Sequence, residues 1–149
     1  MPHPLMSRRN VILAAVAIGG GGVWYAKRLP FEGQQITPIE AHARAKAGEI
    51  TLVDIRSPRE WAATGVGEGA WAIDLRDDGF IAKLENLVDH DRAAPVALIC
   101  ASGVRSNRTS QRLLDAGFTN IIDVPEGMLG STAGPGWLAR DLPTESVQR

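Results

Sequence analysis

Cys100, the only cysteine of the 149-residue chain, is followed closely by Gly103, Arg105 and Ser106. A thiol, a glycine turn, a guanidinium and a hydroxyl in that order suit nucleophilic chemistry at sulfur. The thiolate is the attacking form of cysteine, and nearby positive charge and N–H groups aimed at the sulfur both favour it. The peptide groups of Ala101, Ser102, Gly103, Val104, Arg105 and Ser106 are candidate donors of such a cradle. Arg105 adds fixed charge, so the expectation is a thiol held largely as thiolate at neutral pH. An anion held this way can take up sulfur or attack phosphorus. A lone cysteine behind apolar residues is also often only a small buried hydrophobe, and spacing alone does not separate these readings.

The elements on either side of this segment must position the thiol. Val96-Ala97-Leu98-Ile99, bounded by Pro95, predicts a buried strand, and Asn107–Ala116 predicts a helix stopped by Gly117. Strand, short loop and helix place the thiol at a strand's carboxyl end beside a helix N-terminus, where the dipole favours an anion. Thr37-Pro38-Ile39-Glu40 reads as a capping box opening a helix that runs to Ala47 and stops at Gly48. Thr51–Ile55 predicts a strand. Ser57-Pro58-Arg59-Glu60 is a second capping box, opening a helix with Trp61. Trp71–Asp74 and Asn120–Val124 predict further strands, and apolar residues at 80, 81, 84, 87 and 88 predict a helix. Gly134-Pro135-Gly136-Trp137 opens a short final helix near Leu142-Pro143. Alternating strands and helices imply an α/β domain with a central parallel sheet flanked by helices, whose ligands sit at the carboxyl ends of the strands. Asp54 and Arg56 fall on that same face.

A formal net charge of −1 offers no basic surface for nucleic acid. One cysteine excludes an internal disulfide and a zinc knuckle, and no metal or cofactor is expected. His3, His42 and His90 receive no role, and His42 is expected to be exposed on its helix.

Near the start, Ser7-Arg8-Arg9-Asn10 precedes the uncharged stretch 11–26, which Lys27-Arg28 closes. A basic start before an apolar core is the pattern of an export signal, and the arginine pair resembles the twin-arginine signature. With no usable small-x-small cleavage site, the expectation is an uncleaved hydrophobic helix. It would contact a membrane through residues 10–26, with Trp24 and Tyr25 at the interface. Four consecutive glycines argue against a buried core helix there. Basic residues flank both ends, so the positive-inside count does not decide orientation; the export-like arginine pair places the domain on the extracytoplasmic (periplasmic) side, with the cytoplasmic face as the alternative. The expected organisation is 1–28 signal or anchor, 29–35 linker, 36–143 α/β domain and 144–149 tail.

Cys100-x-x-Gly103-x-Arg105-Ser106 resembles the active-site loop of the rhodanese family of sulfurtransferases. Asp54-x-Arg56 with Glu60 resembles a second family segment. Gly65-Val66-Gly67-Glu68-Gly69-Ala70 resembles the family's Gly-His-Ile-Pro-Gly-Ala turn, with Val66 and Glu68 departing from it. Gly127, Trp137 and Pro143 stand where a rhodanese carries its closing glycine, tryptophan and proline, and Asp141 where a glycine is common. The resemblance spans about residues 36–143.

That resemblance implies a rhodanese-like fold in which Cys100 takes sulfane sulfur from a donor such as thiosulfate and passes it to cyanide or a thiol. It implies that residues 101–106 bind the donor, that Asp54 and Arg56 form a supporting ion pair, and that no cofactor is needed. Implied partners are a small sulfur donor, a thiol acceptor and an acceptor protein. Two other readings stay open: a membrane-tethered persulfide carrier with poor small-donor turnover, and a cysteine phosphatase or arsenate reductase. Related phosphatases carry one more residue between cysteine and arginine, and they need an acid that the sequence does not reveal.

Overall fold

The computed structural model describes residues 31–147. The anticipated N-terminal hydrophobic helix and its membrane contact through residues 10–26 lie outside the described residues. Among the described residues, no helix is long and apolar enough to cross a membrane.

Five parallel strands form the central sheet, in the order β1-β6-β5-β2-β4. They are β1 (Gln34–Gln35), β2 (Thr51–Asp54), β4 (Ala70–Ala72), β5 (Val96–Ile99) and β6 (Ile121–Asp123). Helices α1 (Pro38–Lys46), α2 (Pro58–Thr64), α3 (Phe80–Leu87) and α4 (Val104–Asp115) connect them. All four residues of β5 are 0% exposed. An uncharged four-residue run does this only in a strand covered on both faces. The pleat sends Val96, Leu98 and Cys100 to the side of α3 and α4, with Leu84 and Leu113. Ala97 and Ile99 go to the opposite side, with Met128 and Trp137. Cys100 thus continues a core-facing alternation at the point where the strand ends.

Side-chain capping sets the starts of α1 and α2. Ser57 and Glu60 form the reciprocal capping box of α2, whereas Thr37 caps α1 in one direction only, accepting from the Glu40 N–H. Helix α4 starts at Val104 rather than Asn107, because Gly103 is its N-cap. No side chain caps that end, so the usual signal of a start is missing. Arg105 and Ser106 consequently lie in the first turn of the helix, not in a free loop.

Both expected boundaries of the domain move outward. Within the proposed linker 29–35, Phe31 is buried and β1 pairs with β6, Gln35 opposite Asp123. Within the proposed tail, β7 (Thr144–Glu145) pairs antiparallel with β3 (Val66–Gly67). The strand expected at Trp71–Asp74 covers Ala70–Ala72, and the final helix is a 3-10 turn at Leu138–Arg140. Asp141 closes that turn with φ +55°, the left-handed conformation for which glycine is the usual residue. His42, expected to be exposed, is half-buried. Its Nε2 lies 2.7 Å from Glu68 Oε2, and its ring meets Trp137 edge-on.

Candidate active site

The site is built where β5 runs into α4. Cys100 follows directly on the buried strand and is 1% exposed. The chain then reverses through Ala101, Ser102 and Gly103, so that the first turn of α4 folds back over the sulfur. Gly103 N lies 3.2 Å from Sγ and Ser106 N 3.4 Å. Of the six expected cradle N–H groups, these two reach the sulfur. Sγ also lies 3.6 Å from Ser106 Oγ, which itself donates to Gly103 O at 3.2 Å. Donors at a helix N-terminus, aimed at one sulfur, favour negative charge on it.

Two glycines make the reversal possible. Gly103 has φ +84°, and a Cβ there would stand 2.2 Å from Pro125 O. Gly127 has φ +69°, and its Cβ would stand 2.4 Å from Ala101 O. The segment after β6 therefore lies directly on the cysteine loop. Met128 N donates to Cys100 O and Leu129 N to Ala101 O, each at 2.8 Å. This strap is anchored behind by Glu126, whose carboxylate accepts from Arg140 at 2.7 and 2.8 Å and from Gly136 N at 2.9 Å. Ser102 and Val104 are exposed at the loop's outer rim.

The other flank is ionic. Asp54 ends β2 beside β5, with Asp54 opposite Ile99. Its carboxylate accepts Arg56 Nε at 3.0 Å and an Arg56 terminal nitrogen at 2.8 Å. The same guanidinium donates to Thr64 Oγ1 and Gly65 O, clamping the end of α2 to the end of β2. Asp54 and Arg56 are 0% and 1% exposed, so this ion pair is buried at the carboxyl end of β2.

Arg105 reaches across to Glu60, at 2.6 and 3.0 Å. Glu60 also accepts from Ser57 N and Ser57 Oγ. The Arg105 contact is the chief reason the Glu60 carboxyl drops from its ordinary 4.5 to about 2. Glu60 in turn raises Arg105, with smaller contributions from Cys100 and Asp54. The Arg105 charge is therefore a paired charge, with Glu60 as its partner. Its capping role was evident in the sequence. Its contact with a residue 45 positions away carried no local signal.

A second site residue outside the expected set is Asp123, the last residue of β6. It is 0% exposed, and burial raises its carboxyl above the usual range. Read along the chain, it is only the polar end of an apolar strand. A hollow of about 600 Å³ between α2 and β7 is lined by none of the cysteine-loop residues. Among the described residues, no group of histidine, cysteine and carboxylate side chains is arranged to hold a metal.

The chain is 30% identical to the thiosulfate sulfurtransferase GlpE of Actinobacillus pleuropneumoniae, over 76% of this chain and 94% of that protein. It is 31% identical to the tRNA uridine(34) hydroxylase of Chlamydia caviae over 72% of its length, but spans only 34% of that protein. The polysulfide-sulfur transferase homodimer of Wolinella succinogenes shares the fold with a TM-score of 0.55 at 21% identity, covering 96% of both chains. The family model of the rhodanese-like domain matches residues 37–133, a span containing Asp54, Glu60 and the whole turn from Cys100 to Ser106, and the chain belongs to that family.

Proposed function

We propose that this protein is a sulfurtransferase that moves sulfane sulfur from an anionic donor of the thiosulfate type to a thiol or cyanide through a persulfide on Cys100. The Cys100 thiolate attacks the outer sulfur of the donor, whose S–S bond breaks, and sulfite leaves with the bonding pair. The acceptor thiolate or cyanide then attacks the outer sulfur of the persulfide and returns the Cys100 thiolate. The leaving group is a stable anion and needs no general acid. The observation that carries this reading is the convergence of the Gly103 and Ser106 N–H groups on Sγ, at the first turn of the helix that carries Arg105. Oriented donors of this kind stabilise charge that develops at one atom. In this reading Ala101, Ser102 and Val104 complete the wall that meets the donor, and Asp54 with Arg56 holds it from behind.

A phosphatase or arsenate reductase fits less well. Phosphate-ester cleavage needs a protonated acid beside the loop. Glu60, the carboxyl nearest to Arg105, is held ionised by its contacts down to about pH 2. The carrier reading draws support from one observation: Cys100 is 1% exposed, so small donors meet a nearly closed turn. Thiocyanate release from thiosulfate and cyanide separates the two. Sustained turnover that is absent in Cys100→Ser supports the enzyme. A stable persulfide with negligible turnover supports a carrier that hands sulfur to a partner protein.

For localisation, the apolar stretch at 11–26 supports a membrane tether, and the arginine pair before it, similar to an export signature, supports an extracytoplasmic domain. Fractionation combined with protease protection tests it. Recovery of the full chain in the soluble fraction removes the tether, and protection of the domain in intact spheroplasts reverses the orientation.

A further inference from the structure

Cys100 is almost closed off, yet two large apolar side chains beside its turn face solvent. Val104, the first residue of α4, is 55% exposed, and Leu129 is 61% exposed. Val104 follows Gly103, whose N–H reaches Sγ, and the Leu129 N–H donates to Ala101 O at 2.8 Å. Both therefore stand on the segments that close over the sulfur. A single exposed apolar residue needs no explanation, but apolar residues gathered at a reactive group mark a surface that meets another molecule. Helix α4 adds a second feature. Val104, Arg108 and Arg112 are four positions apart and form one exposed stripe that leads away from the turn. Arg105 is paired with Glu60, whereas Arg108 and Arg112 make no ion pair among the described residues.

The carboxylates around this stripe are committed or hidden. Glu60 holds Arg105, Glu126 holds Arg140, and Asp115 at the far end accepts from Gln111 at 3.2 Å. Asp123 lines the same hollow of about 310 Å³ as Ser102, Val104 and Arg108, but it is 0% exposed. The stripe is thus locally positive, although the whole chain carries −1. From Val104 to Arg112 the helix rises about 12 Å, farther than one small thiol spans. A protein segment can meet the apolar rim and both arginines at once. A lipid headgroup plane would satisfy the arginines but brings no thiol to the sulfur.

We infer that Cys100 hands its sulfur to an acidic acceptor protein. The acceptor cysteine lies between apolar residues that meet Val104 and Leu129, and carboxylates beyond them meet Arg108 and Arg112. Opposite charges across such a surface speed the encounter and fix its orientation. The hand-off rests on the proposed persulfide and is its second half-reaction. The acceptor thiolate attacks the outer sulfur, the S–S bond to Cys100 breaks, and the Cys100 thiolate leaves with the bonding pair. The acceptor keeps the sulfur as a persulfide, and no outside oxidant or reductant enters.

The test offers two peptides to the full chain after it has been loaded with sulfur from thiosulfate and freed of donor. One carries a cysteine between leucines with glutamates beyond them, and the other has lysines in place of the glutamates. Peptide persulfide is followed by mass at low salt. The glutamate peptide is expected to react about tenfold faster, an advantage that added salt screens away. Arg108→Gln combined with Arg112→Gln is expected to abolish the advantage. Thiocyanate formation by this double variant stays within about twofold, because the groups that touch Sγ belong to Gly103 and Ser106. Comparing the ratio of the two rates between protein and variant cancels the peptides' own thiol reactivity, and an unchanged ratio overturns the inference. Leu129→Ser is expected to raise the half-saturating concentration of both peptides about fivefold, and no rise overturns the apolar contact. Equal peptide rates, with salt-sensitive binding to phosphatidylglycerol vesicles that the double variant loses, assign the stripe to lipid and also overturn it. A chain that loads sulfur without a charge preference loses the acidic partner alone. One that never loads loses the sulfurtransferase reading and the partner with it.

Discussion

The two flanks of the cysteine turn are held by different physics. On the β2 flank the contacts run between charged side chains, Asp54 with Arg56 below and Glu60 with Arg105 above. On the flank formed by the segment after β6 they run between backbones, with Met128 and Leu129 donating to the carbonyls of Cys100 and Ala101 and two glycines allowing close approach. Backbone contacts of this kind fix shape and tolerate no extra atom. Charged contacts tune electrostatics and tolerate gradual change. The strap therefore sets where the sulfur is, and the ionic flank sets what reaches it.

Breaking the strap is expected to have the largest effect. Gly103→Ala or Gly127→Ala sets a Cβ 2.2 or 2.4 Å from a carbonyl oxygen at positive φ. A loss of about 3 kcal/mol or more follows from clash and backbone strain together, read by chemical denaturation. A smaller effect at both positions would mean that the strap is loose.

Next comes the buried half of the ionic flank. Arg56→Leu strands the Asp54 carboxylate at 0% exposure and is expected to cost about 3–5 kcal/mol of stability. The exposed half acts on activity instead. Arg105→Ala removes the guanidinium beside the sulfur, and kcat/KM for thiosulfate is expected to fall about 100-fold, with stability changed by about 1 kcal/mol. A fall confined to stability would erase the division between the flanks.

The gentlest test is pH. The folded-state carboxyl of Glu60 lies below its ordinary value, so its contact with Arg105 contributes stability that is fully present above about pH 4.5 and is lost as pH falls toward about 2. Glu60 is about one-third exposed, and screening reduces this to about 1 kcal/mol. The stability difference between the protein and Glu60→Gln is expected to be constant above pH 5 and to close below pH 4.

How much of this was legible in the sequence follows the same division. The strand at 96–99, the Ser57 capping box and the stop at Gly117 were readable because each rests on local chemistry within a few residues. The Cys100 turn was readable as a pattern, yet the true start of α4 was not, since Gly103 caps it without a side chain. Strands β1 and β7 were invisible. Two polar residues each carry no periodicity, and only their partners at 122–123 and 66–67 make them strands. The Glu60–Arg105 contact joins distant segments, and a single sequence holds no signal for such a pair.

Sulfur transfer through this turn requires that the Cys100 sulfur carry a second one. Intact mass spectrometry of the protein before and after thiosulfate tests this most directly, with Cys100→Ser as control. The account predicts a gain of one sulfur atom, reversed by cyanide and absent from the serine variant. An unchanged mass, or the same gain in the serine variant, would contradict it.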